Sequence, residues 1–497
     1  MPEPMQPQST SANEHPGTSS TAIQLARCFG IQTHRTQDRC DEPTEPVQMP
    51  KPGQILMILG PSGSGKTTRL RSLCREQTHI RCIEHRTEHD DTTVIDDLKR
   101  EQEKLAGTQN DDPAPLIKTL TVCGLSEPRL WLSPISQLSQ GERFRLALAR
   151  LLLRNDPTGL NTRRKPTTPA IVIDEFGENL HDILTETIAC NLRKLVTRRG
   201  MRLILATNRT ACVRYLAPDR LLSLQTPPGT ARPTESLIAG TTSRNSRRFI
   251  VMQGNKRDYA HFAHHHYRQS NELGFVDKTF TLFDRRERRA AAFVAYAHSP
   301  INLKLRNEIT DRRYANKPDG VNRDFRIVRR LIVHPDYRGR GLGHQLLRVS
   351  LSKIKTRFIE CLSTIGYFNP VFEKAGMIRI GPCRAIKTVT KLRDALRSWQ
   401  IEPHDSKLEE KIQSDRKVRD VVQTIVSRWY AATTGEGRHR PASQSPERLA
   451  MLLRSLTSDP PMYYLWSRKK TDRKKLILAR TRWGRHHHAD GSAEATP

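Results

Sequence analysis

The chain has 497 residues, with 83 Lys and Arg against 52 Asp and Glu, a formal net charge of +31. Such a length exceeds one ordinary core and predicts about two to four domains; such a field favours nucleic acid as a partner, through phosphate contact and counterion release. No apolar run reaches the roughly 18 residues a membrane-spanning helix needs, which excludes that class, and nine cysteines without a CxxC pair argue against a disulfide framework or a zinc site.

Residues 1–20 are rich in Pro, Ser and Thr and read as disordered, with no basic segment leading into an apolar one, so no secretory signal is expected and the setting is cytoplasmic. A short apolar segment, Ile23 to Ile31, precedes a proline-bearing stretch. The apolar run Ile55 to Leu59 then reads as a buried strand entering Gly60, Pro61, Ser62, Gly63, Ser64, Gly65, Lys66 and Thr67, with Thr68 opening a helix. This is GxxxxGK(S/T) in strand–loop–helix context: backbone amides curl round a phosphate, Lys66 reaches the β- and γ-phosphates of ATP, and the Thr67 hydroxyl holds Mg²⁺.

Residues 68–82 suit a helix and then a strand, and 94–107 and 114–124 suit helices. At Leu138-Ser139-Gln140-Gly141-Glu142 a serine and a glycine open a strongly helical run, Phe144 to Leu153, and Ser139 with Glu142 fits a capping box. Residues 170–176 read as a buried strand ending in Asp174 and Glu175. Asp174 suits the Mg²⁺ shell, and Glu175 suits polarising a water for attack on the γ-phosphate. A further strand, Leu203 to Ala206, ends in Thr207-Asn208.

In order and spacing, these three motifs resemble the ABC ATPase family over about residues 23–225. The resemblance implies a head-to-tail homodimer in which Ser139 and Gly141 of one subunit close over the nucleotide on Lys66 of the other. It also places Asn208 at the family's switch-histidine position and His181 at its D-loop aspartate position, two departures that bear on turnover. Gln77 and Gln102 are weak candidates for the family's glutamine loop.

Residues 226–246 have a linker's composition, and a new domain opens near Phe249. A strand, Ile327 to Val333, runs into Arg338, Gly339, Arg340, Gly341, Leu342 and Gly343 and then a helix, a second phosphate cradle of different design. With "LIVHPDYRG" before it and Tyr367–Met377 after it, this stretch resembles the GNAT N-acetyltransferase family over about residues 247–390.

That resemblance implies acetyl-CoA binding by the turn from Arg338 to Gly343, with pyrophosphate on the amides of Arg340, Gly341, Leu342 and Gly343, pantetheine along Leu331, Ile332 and Val333, and Asn369 near the CoA arm. Amine acylation calls for a base and an acid. Glu360 and His334 are candidates for the base; the family's tyrosine acid is replaced by Phe372, with Tyr367 as a substitute. In the run from His261 to Arg268, contact with the acceptor by His265, Tyr267 or Arg268 is a better reading than a metal site. Both halves together resemble ABC-type ATPases fused to a predicted acetyltransferase.

Beyond 390, a mixed-charge helical run, Lys407 to Arg428, leads to a basic stretch in which Tyr463, Tyr464, Trp466 and Trp483 interleave with Lys and Arg. This suits base stacking with phosphate contact, or equally a small helical appendage packing its aromatics inward with a solvated basic face. The expected architecture is α/β: a P-loop ABC ATPase domain at 21–225, a linker, an α+β GNAT acyltransferase domain at 247–390, and a basic, mostly helical C-terminal region at 391–497. The expected function is an ATP-hydrolysing protein with acetyl-CoA-dependent N-acetyltransferase activity on RNA such as tRNA, or on a nucleic-acid-associated amine. The alternative is a nucleic-acid-binding clamp whose GNAT domain is regulatory or inactive.

Overall fold

The computed structural model describes residues 48–76, 80–82, 91–106, 112–155, 170–224, 234–237, 248–265, 273–383, 386–434 and 444–478. The expectations for 1–20, Ile23–Ile31, Gln77, Tyr267, Arg268 and Trp483 lie outside the described residues.

The first sheet is built from β1 (Ile55–Leu59), β2 (Ile80–Cys82), β3 (Ala170–Ile173), β4 (Arg202–Thr207), β5 (Arg220–Ser223) and β6 (Thr234–Leu237), in the order β2-β3-β4-β1-β5-β6. β1 to β5 run parallel and β6 antiparallel. The uninterrupted apolar sequences of β1 and β3 explain this placement: parallel strands are covered on both faces, and every residue of both is buried. β6 falls inside 226–246, so the expected linker contains a strand that extends the sheet.

Among the described residues, seven helices belong to this part: α1 (Lys66–Glu76), α2 (Val94–Ala106), α3 (Ala114–Val122), α4 (Pro128–Trp131), α5 (Gln140–Arg154), α6 (Asp182–Arg199) and α7 (Ala211–Leu216). α5 begins with the expected capping box, since Ser139 accepts from the Glu142 amide and the Glu142 carboxylate accepts from the Ser139 amide. α6 is capped by His181 and stops at Gly200, whose φ of 64° ends the helix in the left-handed conformation.

The second sheet has seven strands, adding β7 (Phe249–Gly254), β8 (Lys278–Asp284), β9 (Arg289–Ala297), β10 (Phe325–Val333), β11 (Phe358–Ser363), β12 (Ile378–Pro382) and β13 (Met462–Ser467), ordered β12-β13-β11-β10-β9-β8-β7. Its one parallel pair is β10 with β11, joined from Phe325 opposite Phe358 to Val328 opposite Cys361. Beyond that point both strands continue unpaired with each other, to Val333 and Ser363. An irregularity between Val328 and Arg330 bends β10 where the pairing stops. Helices α8 (Lys304–Ile309), α9 (Pro318–Asp324), α10 (Leu342–Lys353) and α11 (Val371–Lys374) complete this body, with α10 packed on the sheet through Leu346, Leu347 and Leu351.

The expected boundary at 390 does not hold. Helices α12 (Ile386–Ser398), α13 (Leu408–Ser414), α14 (Arg416–Thr434) and α15 (Pro446–Thr457) form a small core of their own, after which β13 returns between β11 and β12. The helical unit is thus an insertion between the sheet's last two strands. The helical run expected over 407–428 breaks at Asp415, whose carboxylate accepts from the amides of Lys417 and Val418. Tyr463 and Tyr464 are fully buried and Trp466 is nearly so, because alternate residues of β13 feed the cores on the two faces of the sheet. These three aromatics do pack inward, which leaves them unable to stack on bases, but they do so from a strand of the sheet and not from the expected helical appendage.

Candidate ATP site and interdomain cleft

The first site forms where a parallel sheet offers one, outside the carboxyl ends of its central strands. β1 delivers Gly60–Thr67, β3 delivers Asp174 and Glu175, and β4 delivers Thr207 and Asn208. Gly63 and Gly65 have φ of 79° and 85°, values that suit residues without Cβ. At Gly60 a Cβ would lie 2.4 Å from the Ser64 hydroxyl, so the loop closes on itself only with glycine there.

Lys66 is buried and its Nζ donates to the Pro61 carbonyl at 2.7 Å, bridging the loop from within. The Thr67 hydroxyl donates to Asp174 Oδ2 at 2.7 Å, which brings together the two groups expected at Mg²⁺. Both are oxygen donors of the kind that cation takes, so the residues present fit MgATP. Glu175 is exposed beside them with φ of 52°, and its amide donates to Asp174 Oδ1 at 2.9 Å. This is a strained position for a residue with a side chain, and it aims the carboxylate off the strand axis. Asn208 is exposed on the same rim, and the Thr207 hydroxyl ties the β4 end to the Phe176 carbonyl.

Ser139 is exposed at the start of α5, and a Cβ on Gly141 would stand 2.8 Å from the Asn179 carbonyl oxygen. The signature turn therefore packs directly on the segment that precedes α6. His181, at the expected D-loop position, does not face the nucleotide loop: its Nε2 lies 3.2 Å from Asp336 Oδ1 of the second body.

The second site is a cleft of about 1140 Å³ between the two bodies. Leu331, Ile332, Val333, Arg338, Gly339, Gly341, Leu342, Gly343 and Asn369 all line it, together with Leu362 and Ser363 from the diverging end of β11. The amides at the start of α10 follow Gly341, whose φ of 87° makes the turn. An anion at these amides would meet unsatisfied donors and the positive end of the helix.

The arginines of the turn do not face that anion. Arg338 donates to the Val333 carbonyl at 2.8 Å, the Ser126 carbonyl at 2.9 Å and the His265 carbonyl at 3.2 Å. Arg340 is buried against Phe249 and Glu186, so only its main chain belongs to the turn. Neither guanidinium serves the cradle: both hold the bodies together.

The expected acid–base residues are also corrected. Glu360 is fully buried on the opposite face of β11, 3.4 Å from Arg306 and accepting from the Tyr463 hydroxyl at 2.9 Å. Burial raises its carboxyl above the usual range, and it is not among the residues that line the interdomain cleft. Tyr367 donates its hydroxyl to the Pro460 carbonyl at 2.7 Å, outside the cleft. Phe372 is buried and tilted against Tyr464. His334 stacks edge-on to His265, and burial, with Arg289 nearby, pushes its imidazole down to about 4. Gln102 lines the interdomain cleft rather than the nucleotide loop.

Sequence reasoning missed the contribution of the first body to this cleft. Asn191, Lys194 and Arg198 of α6 and Lys118 of α3 form part of its wall. Lys194 Nζ donates to the Arg340 carbonyl at 3.3 Å, and a Cβ on Gly339 would meet Asn191 Nδ2 at 2.5 Å. The helical spacing of 191, 194 and 198 marks one face of α6, but only the fold says what that face meets.

The family model described as ABC transporter matches residues 49–160. Protein STAR1 of rice (Oryza sativa subsp. japonica) is 27% identical over 225 residues, which cover 40% of this chain and 60% of that protein. The lipoprotein-releasing system ATP-binding protein LolD of Hyphomonas neptunium is 29% identical over 203 residues, 35% of this chain and 82% of that one. Among solved structures, a bacterial ABC transporter cassette in a dimeric form superposes with a TM-score of 0.29 at 21% identity, covering 36% of this chain and 83% of that chain. No helix among the described residues is long and apolar enough to cross a membrane. The family match and the nucleotide-loop geometry agree on an ABC-type ATPase domain of the P-loop α/β fold in this part of the chain, with residues that fit ATP and Mg²⁺.

Proposed function

We propose that the chain is a cytoplasmic, ATP-hydrolysing N-acetyltransferase that takes its acetyl group from acetyl-CoA and acts on RNA, tRNA first, or on an amine of a nucleic-acid-associated protein. The observation that supports this reading is the divergence of β10 and β11 beside a glycine turn that opens α10. Main chain at Leu331–Val333, paired with β9 on one side and not with β11 on the other, suits an amide-bearing pantetheine arm, and the amides of Arg340–Gly343 suit a pyrophosphate. Thr67 and Asp174 would hold Mg²⁺, Lys66 the phosphates, and Glu175 the attacking water. Ser139 and Gly141 of a second copy would complete that site, making the working unit a head-to-tail homodimer.

Acetyl-CoA supplies an activated thioester. The acceptor nitrogen bonds to the carbonyl carbon and gives up a proton to water, the carbon–sulfur bond breaks, and the thiolate takes a proton from water. With Glu360 and Tyr367 committed elsewhere, the chain's contribution would be proximity and orientation in the cleft. Those same commitments favour the second reading, a nucleic-acid clamp in which acetyl-CoA is bound as a signal. Incubating the protein with radiolabelled acetyl-CoA, ATP and either total RNA or basic proteins separates the two. Label retained on one fraction supports catalysis, and CoA binding without transfer to either leaves the clamp.

A further inference from the structure

We propose that the ATPase domain forms half of the coenzyme site: Lys118, Lys194 and Arg198 hold the 3′-phosphorylated nucleotide end of an acyl-coenzyme A whose pyrophosphate lies on the turn at Gly341–Gly343. The proposal rests on the reading of that turn as an acetyl-CoA site. Nine Lys and Arg line the cleft against one carboxylate, Asp112, so the cavity is built for an anion. The pyrophosphate has the α10 amides, but coenzyme A carries a further phosphomonoester of charge about −2, which amides at one helix end do not neutralise.

The turn itself offers no cation for it. Arg338 spends its guanidinium on three carbonyls, and the Arg340 guanidinium is buried towards Glu186. Cations face the cavity from both bodies, Arg329, Arg330 and Lys374 from the second, and the first body groups Lys118, Lys194 and Arg198 on two helices. Lys194 and Arg198 stand one turn apart on α6, Lys118 of α3 lines the same cavity, and all three are exposed. Lys194, within 3.3 Å of the Arg340 carbonyl, sets the distance from this cationic face to the turn at one side chain. Gly339 against Asn191 closes the seam between them, so turn and helix make one continuous wall.

Because the ligating groups sit on both bodies, neither has the whole site. The test is calorimetric titration of the full chain with coenzyme A and with 3′-dephospho-coenzyme A, repeated on Lys118→Glu/Arg198→Glu. Wild type should bind coenzyme A about tenfold or more tightly than the dephospho form, a preference that shrinks with added salt and vanishes in the double variant. Equal affinity of wild type for the two ligands, or an undiminished preference in the variant, overturns the proposal while leaving the acetyl-CoA reading intact. No binding of either ligand to wild type overturns that reading, and this proposal with it.

Discussion

Arg248→Met should unlock the junction between the two bodies. Arg248 donates to Asp284 twice, Nε to Oδ1 at 2.8 Å and Nη2 to Oδ2 at 2.6 Å, and its Nη1 bonds Glu186 of α6. Asp284 has no exposed surface and Glu186 is 5% exposed, so removing the cation strands two carboxylates away from water. Breaking a buried pair in this way costs about 3–5 kcal/mol. Here Asp284 keeps the Tyr337 hydroxyl at 3.0 Å and the Arg286 amide at 3.0 Å, while Glu186 keeps only Arg340 and Arg286, both at 3.5 Å. These residual partners lower the expected cost to about 2–4 kcal/mol, or roughly 5–15 °C of melting temperature for a body of this size. Arg248→Met/Asp284→Asn should melt above the single variant, because the amide can serve Tyr337 without a charge. Burial alone would raise the Asp284 carboxyl, but Arg248 holds it below its ordinary range. Its stabilising contribution is therefore present above about pH 4 and lost as pH falls through the lower folded value. Scanning calorimetry from pH 3 to 7 should show a shallower acid limb in the double variant. A single variant that melts with wild type, or a double variant less stable than the single, refutes the reasoning.

Other outcomes follow from particular contacts. Lys66→Ala should weaken MgATP binding about 10- to 100-fold, whereas Glu175→Gln should leave binding in place and slow phosphate release about 10²- to 10⁴-fold; fluorescent-nucleotide titration and a phosphate assay separate them. Tyr367→Phe should cost about 1 kcal/mol of stability and leave any acetyl transfer unchanged, since its hydroxyl serves the Pro460 carbonyl. A large loss of transfer with an unchanged melting temperature would return that residue to the catalytic site. His334, held neutral down to about 4, binds a proton more readily unfolded, so stability should fall as pH drops from about 6.5 to 4. The loss at that step, about 2–3 kcal/mol, should disappear in His334→Gln when melting is followed against pH.

The nucleotide loop was legible because its chemistry is local: a strand, a glycine turn and a helix start lie within one stretch, and Lys66 and Thr67 need no distant residue to be recognised. Asp174 was legible through the four apolar residues before it. What escaped were the properties set by burial and by distant pairing. Arg338 and Arg340 look like phosphate ligands in sequence, yet the carbonyl of Ser126 and the carboxylate of Glu186 claim them. Glu360 follows Ile359 on a strand, and strand alternation alone does not say which face is the cleft. The boundary at 390 failed because β13 pairs with strands far back in the chain, and its aromatics among Lys and Arg gave no sign of which partner they had.

α6 is the element through which the two bodies have most to do with each other. Its N-cap, His181, reaches Asp336, two residues from His334; its second turn carries Glu186 to Arg248 and Arg340; its third and fourth turns carry Asn191 and Lys194 to Gly339 and the Arg340 carbonyl. The same helix begins just after Asp174, Glu175 and the segment on which Gly141 packs. Closely packed interiors transmit displacement instead of absorbing it. A shift of α6 relative to the first sheet would therefore move the glycine turn of the cleft, or else break the Glu186 cluster. Arg338 and Arg340, the two arginines of that turn, make this connection stiff through Ser126 and Glu186.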